Sequence, residues 1–157
     1  MNFVQLLILL IAANATPWIV ARALGDRWSA PLDFGVVLPD GERMFGSHKT
    51  WRGVIFGAVA CALAAKAVGV EPMSGLSFGA LSLLGDVCSS AFKRRAHWPP
   101  GREVPVVDQL PECLLPIALL AQPLDLSWEV GVLGTVLFVL FDMAATRFRH
   151  RADAIRE

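Results

Sequence analysis

The sequence predicts an all-α, polytopic membrane protein with five transmembrane helices, its N-terminus outside and its C-terminus cytoplasmic. Three observations carry that expectation. Hydrophobic residues make up 55% of the 157-residue chain, charged residues only 18%, and tyrosine is absent; a soluble domain of this length needs more charge to keep its surface wet. The apolar residues are gathered into long runs, and the basic residues into clusters between them. The formal net charge of zero hides that arrangement.

Residues 1–21 carry no ionisable side chain, and at 1.5 Å per residue they can cross a hydrocarbon layer of ~30 Å. Ala13-Asn14-Ala15 faintly resembles a signal-peptidase site. A signal peptide would place Lys or Arg ahead of its apolar run, and none precedes this one, so the segment is expected to stay as a span. Runs at 53–70, 74–92 and 128–145 are each close to the ~20 residues a spanning helix needs. The run at 113–121 is shorter and bracketed by Pro111, Pro116 and Pro123. It is expected to be a kinked, tilted span extended to residue 126, with a re-entrant segment as the alternative.

Charge placement favours the span. Of fourteen Lys and Arg residues, five lie between residues 22 and 52, four between 93 and 102, and four between 147 and 156. Only Lys66 falls elsewhere, where its stem can snorkel to the opposite interface. With five spans all three clusters share one side, which the positive-inside rule makes cytoplasmic. No repeat, low-complexity tract or long linker divides the chain, so residues 1–157 are read as a single domain in the cell membrane. Cys61, Cys88 and Cys113 show no Cys-x-x-Cys spacing and are expected to be small buried hydrophobes.

The chemistry-bearing residues crowd the basic side. The first loop holds Asp33, Asp40-Gly41 and Gly46-Ser-His48-Lys49-Thr50-Trp51-Arg52-Gly53. Glycines beside Lys, Thr and Arg can cradle phosphate. The stretch 41–50 imitates a P-loop, but Ser47 and His48 separate its glycine from Lys49 and no strand precedes it, so a P-loop is rejected. An ordinary basic loop with Trp51 as interfacial anchor is the plainer reading of that segment.

The third span is more telling. In Gly85-Asp86-Val-Cys-Ser89-Ser90-Ala-Phe-Lys93-Arg94-Arg95, helical geometry sets Asp86, Ser90 and Lys93 on one stripe, with Ser89 and Arg94 at its edges. Asp86 lies ~10 Å inside the basic end of its helix. A carboxylate at that depth needs a polar cavity, a cation or a partner, Lys49 and Arg52 being candidate partners. Asp108 precedes the fourth span near the same interface. Two carboxylates among phosphate-sized basic groups suit magnesium-dependent phosphoryl or nucleotidyl transfer. Asp142, near the cytoplasmic end of the fifth span, is a candidate to join them, with pairing to Arg147 the favoured reading.

Asn14-x-x-Pro17, Pro31-x-Asp33-Phe-Gly35, Gly46-x-x-Lys49-Thr50-Trp51-Arg52-Gly53, Gly85-Asp86 through Lys93-Arg94-Arg95, and Pro100-Gly101 with Asp108-Gln109 together resemble the CDP-archaeol synthase family, related to the phosphatidate cytidylyltransferases. The resemblance covers about residues 12–112. It implies Mg2+-dependent transfer of CMP from CTP to a membrane lipid phosphate, with release of pyrophosphate at the cytoplasmic face. It also implies roles: Asp86 and Asp108 on the metal with Ser90 nearby, Lys49, Arg52, Lys93 and Arg94 on phosphates, and Asn14 and Asp33 lining the site, with Thr50 in the same binding loop. The chain departs from the family pattern at Ala96-His97-Trp98-Pro99, where a lysine is expected, and in its arginine-rich tail. Expected partners are CTP, a lipid phosphate of the di-geranylgeranylglycerol type and the bilayer, with no nucleic acid. A diacyl-lipid enzyme and a non-catalytic membrane scaffold or transporter subunit are the alternatives.

Overall fold

The structure, a computed structural model, describes residues 1–99, 102, 104 and 106–154, and from residue 148 onward the backbone alone. Pro100-Gly101 and Glu157 lie outside the described residues. The chain forms five helices: α1 Phe3–Leu24, α2 Trp51–Ala67, α3 Pro72–Arg95, α4 Gln109–Leu120 and α5 Trp128–Ala154. Each apolar run therefore became a helix, and local chemistry fixes the starts. Asn2 and Gln5 form a reciprocal capping box on α1, the Gln5 amide donating to Asn2 Oδ1 at 3.0 Å and the Asn2 amide to Gln5 Oε1 at 2.8 Å. Thr50 caps α2. Pro72 opens α3 at a position where its missing N–H is harmless, while Glu71 accepts from Met73 and Ser74. Helix α5 runs past the expected residue 145 into the arginine-rich tail.

Three helical segments are long and apolar enough to cross a membrane: Phe3–Leu24, Pro72–Arg95 and Trp128–Arg147. Helices α2 and α4 are shorter, at 17 and 12 residues. At one end of the bundle the Met1 ammonium donates to the Leu124 and Asp125 carbonyls, each at 2.7 Å, and Gln5 Nε2 donates to Val68 O at 2.8 Å. The opposite end gathers the loop at 25–50, the end of α3 and the start of α4, where Lys93 meets Asp108. The segment from Gln109 to Leu124 thus runs from one end of the bundle to the other.

In lipid, helices associate by close packing of small residues rather than by excluding water. Gly75 and Gly79 press α3 onto Cys61, Ala58 and Ala65 of α2, and Gly53 and Gly57 seat α2 against Pro17 and Ala13 of α1. The apolar core (Leu6, Leu9, Leu10, Phe78, Cys113 and Phe138 among its members) fills the half of the bundle nearer Met1. Cys61 and Cys113 are buried as expected, but Cys88 is exposed. It lies on the outer ridge of α3 with Leu84 and Phe92, both exposed. That ridge is opposite the Asp86–Ser90–Lys93 stripe, so a helix that turns the stripe inward must turn Cys88 outward.

Candidate active site at the basic end of the bundle

A cavity of about 400 Å³ opens at the basic end, enclosed by all five helices except α2 and by the loop before α2. Helix α3 supplies Asp86, Ser90, Lys93 and Arg94, α1 supplies Asn14, and the loops supply Lys49 and Asp108. The stripe read from helical spacing is therefore the floor of a polar cavity. Lys49 Nζ forms a short ion pair with Asp86, with the two side chains 25% and 23% exposed. Lys93 Nζ lies 2.7 Å from Asp108 Oδ1 and donates to the Arg102 carbonyl at 3.1 Å. Asp108 Oδ2 accepts from the Val104 amide at 2.9 Å, which tethers the loop before α4. Arg94 is buried and donates from Nη2 to the Pro99 carbonyl at 2.9 Å; its Nη1 has no partner among the described residues.

A second cavity of about 590 Å³ adjoins the first. The two share Pro17, Trp18, His48, Lys49, Leu83 and Asp86, so the Lys49–Asp86 pair stands where they meet. Thr50 and Arg52 line the second cavity only; the Thr50 hydroxyl and one Arg52 guanidinium nitrogen serve the backbone, while Arg52 Nε is buried without a partner among the described residues. Thr50 Oγ1 accepts from the Gly53 amide at 3.4 Å as the cap of α2. The buried Arg52 guanidinium donates to Gly25 O at 2.7 Å and, more closely, to Arg27 O. Arg52 thereby ties the start of α2 to the carbonyls that follow α1.

Asp33 lines neither cavity, which corrects its expected place. Its side chain is fully enclosed and paired with Arg43. It accepts from the amides of Gly35 at 3.0 Å and of Phe45 and Gly46, both at 3.2 Å. Burial pushes its pKa up, but the hydrogen bonds from Arg43, Gly35 and Phe45 outweigh that and hold the carboxyl at about 2. Asp33 is the hub of the loop: it fixes Phe45 and Gly46, which do line the first cavity. Arg95 fastens the same loop to α3, reaching Asp40 at 3.1 Å and the Arg43 carbonyl at 2.9 Å.

One cavity-lining position escaped the sequence reading, and one was given the wrong partner. Glu112 of α4 is buried, lines the first cavity and sits within hydrogen-bond reach of Asp86. Gly85 makes that possible, because a Cβ there would lie 2.2 Å from the Pro111 carbonyl oxygen and 2.7 Å from the Glu112 nitrogen. An ionisable residue inside an apolar run was the available signal. Asp142 was expected to pair with Arg147; its carboxylate instead accepts from Gln109 Nε2 at 2.8 Å. Gln109 Oε1 in turn accepts from the Val106 amide at 2.6 Å, linking α5 to the turn before α4.

Among the described residues no three His, Cys, Asp or Glu side chains converge as a ready metal cage. Asp86, Asp108 and Glu112 offer hard oxygens, each within one cavity. The cations around it (Lys49, Lys93, Arg94, Arg102 and Arg147) suit a polyphosphate.

A family model described as CarS-like, CDP-archaeol synthase, matches residues 2–77 and 70–152. The CDP-archaeol synthase of Aeropyrum pernix is 35% identical over an alignment that covers 92% of this chain and 85% of that protein. The Thermofilum pendens CDP-archaeol synthase is also 35% identical, over 62% of this chain and half the length of that relative. A solved structure described as an intramembrane enzyme for archaeal membrane lipids biosynthesis superposes with a TM-score of 0.74 at 33% identity, covering 91% of each chain.

Proposed function

The chain belongs to the CDP-archaeol synthase family, and on that premise we infer that it transfers CMP from CTP to an archaeal-type membrane lipid phosphate. The products are a CDP-lipid and pyrophosphate, for phospholipid biosynthesis. The observation that carries the reading to these residues is the pair of joined cavities with Lys49 and Asp86 at their junction. Two substrates that react phosphate to phosphate can be held in adjoining compartments that meet at the reacting groups.

The first cavity, rich in basic side chains, takes the triphosphate. Arg94 Nη1, buried without a partner among the described residues, is a donor awaiting an anion. Lys93 and Arg102 neutralise the β- and γ-phosphates. The second cavity combines Lys49 and His48 with the apolar walls of Trp18, Leu32, Val54 and Val87, which suits a phosphate carried on a hydrocarbon chain. An oxygen of the lipid phosphate attacks the α-phosphorus of CTP, and the bond to the β-phosphate oxygen breaks as pyrophosphate leaves. The protein's work is to align the two phosphates and balance their charge. Ser90, on the floor between Asp86 and Lys93, donates its hydroxyl to a phosphate oxygen.

We assign the metal to Asp86 and Asp108. Mg2+ takes one or two carboxylates and completes its shell from substrate phosphates and water, and Asp86 and Asp108 line the same cavity. When bound it supplies charge neutralisation at the transferring phosphoryl group.

The topology proposed with this chemistry has five spans, Met1 outside and the three basic clusters in the cytoplasm. It is supported by the shared end of the loop at 25–50 and the Lys93–Asp108 contact, and by the passage of α4 to the Met1 end. Purified protein incubated with α-labelled CTP and a panel of ether- and ester-linked lipid phosphates tests the function. Label should move into an isoprenoid ether lipid with equimolar pyrophosphate. Equal or better turnover of diacyl phosphatidate would assign the enzyme to ester lipids instead.

A further inference from the structure

Helix α2 presents an apolar ridge at steps of four residues, Trp51, Ile55, Val59 and Leu63, each between 43% and 65% exposed. In a bundle within a bilayer such a ridge faces lipid. Helix α2 is only 17 residues long, a rise of ~25 Å at 1.5 Å per residue, against a hydrocarbon layer of ~30 Å. A span this short cannot carry its first residue clear of the layer without exposing Leu63 at the other end or thinning the bilayer. Trp51 therefore lies at the boundary or inside it.

The loop before α2 continues the ridge. Backbone hydrogen bonds from Leu32 N to Lys49 O (2.8 Å) and from Trp51 N to Ala30 O (3.1 Å) lay the segment 30–32 alongside the start of α2. They bring the Phe34 ring to 6.1 Å from that of Trp51. Phe34 is 75% exposed, and Val36 and Val37 beside it are about half exposed. Phe34 also has a positive φ of 47°, a conformation unfavourable for a bulky residue that persists only where the surroundings impose it. The buried Asp33 hub imposes it here, since Asp33 Oδ1 accepts from Gly35 N across Phe34. The loop thus holds a large aromatic ring outward at the cost of backbone strain.

We propose that Phe34, Val36 and Val37 form a bilayer-inserting edge that extends the lipid-facing ridge of α2 and seats the loop at 25–50 in the headgroup–acyl boundary. The partner is the lipid bilayer itself, engaged through apolar contact. Continuity through the Phe34–Trp51 contact identifies the occupant, because a surface joined edge to edge with a lipid-facing ridge meets the same solvent. The loop carries Phe45, Gly46, His48 and Lys49 into the cavity wall, so its seating sets how the cavities stand relative to the membrane surface. The proposal rests on α2 crossing the bilayer, part of the topology above, and not on the reaction.

The test is nitroxide depth measurement in lipid vesicles. Cys88, the exposed native cysteine, is replaced by Ser, and single cysteines are labelled at Val37→Cys, Val59→Cys and Ser47→Cys. Val59 reports the middle of α2, and Ser47 an exposed position of the same loop at the rim of the second cavity, away from the proposed edge. The ratio of oxygen to nickel-chelate collisions at position 37 should exceed that at 47 at least threefold and approach that at 59. A water-like ratio at 37 with a lipid-like ratio at 59 overturns the proposal and leaves the topology standing. A water-like ratio at 59 removes the span, and the proposal with it. Shielding of 37 from both reagents, with label–label dipolar broadening, would assign the edge to a second copy of the chain and also overturn it. Phe34→Ser, read with the label at 37, keeps the test open if a labelled variant folds poorly: it should lower the ratio at 37 and leave 59 unchanged.

Discussion

Replacing Asp86 by Asn separates a catalytic carboxylate from a structural one, because the two roles differ in size. Asp86 is ion-paired to Lys49 with both side chains about a quarter exposed. Two unit charges about 4 Å apart at an effective dielectric of about 20 attract by ~4 kcal/mol. Desolvation and the partial exposure reduce the net coupling to about 1–2 kcal/mol. Asn keeps the shape and a hydrogen-bonding oxygen. The cost to folding should thus be about 1 kcal/mol, a small shift in melting temperature. Removing one transition-state contact of ~3–4 kcal/mol lowers the rate by about two to three orders of magnitude. The assay is CMP transfer from labelled CTP in matched detergent at several Mg2+ concentrations, with thermal unfolding measured on the same samples. Lys49→Gln/Asp86→Asn is the control for the ion pair: because Lys49 also lines both cavities, the double variant should be no faster than the single one. A single variant within about tenfold of the wild-type rate, or a double variant that recovers to that level, would refute the metal assignment.

Gly85→Ala should be among the most damaging single-methyl additions, since its Cβ would meet the Pro111 carbonyl oxygen at 2.2 Å. A loss of about 3 kcal/mol or more is expected, against a small loss for Gly131→Ala, whose Cβ would meet only the Ile117 side chain at 3.2 Å; melting curves of the two variants check the ranking. Asp33 gives an acid-sensitive loop. Its folded pKa of about 2 lies below the unfolded value of about 3.8, so its stabilisation is present above about pH 4 and is lost as pH falls through about 2. Glu71, held down by the amides of Met73 and Ser74, titrates in the same direction, so the wild-type minus Asp33→Asn difference in melting temperature should shrink between pH 4 and pH 2; a constant difference would count against the hub. The topology predicts that a cysteine at Ser47 or Ala152, in a background without native cysteines, resists an impermeant thiol reagent in intact cells and reacts after lysis. Labelling of either in intact cells would invert the assignment.

The sequence by itself determined what depends on one segment at a time. Helix existence follows from the length of each apolar run, so all five helices lie near their expected positions. The stripe of Asp86, Ser90 and Lys93 follows from the helical period alone and reappears as a cavity floor. Grouping of all three basic clusters on one side belongs to the proposed five-span topology. Tertiary structure decided everything that depends on how one helix crosses another. Glu112 meets Asp86 because α4 rests on the bare backbone of Gly85, and no periodicity within either helix encodes that register. Asp142 finds Gln109, 33 residues away, in place of the nearby Arg147. Asp33 and Arg52 sit in motifs that suggested ligand contact, yet Asp33 is taken up by Arg43 and the loop amides, and Arg52 donates to loop carbonyls. A loop folded against a membrane end has backbone polar groups that neither helix nor water satisfies, and the nearest buried charge satisfies them. Residue type and spacing cannot distinguish such a charge from one kept for a substrate, because the difference lies in what the folded chain places beside it.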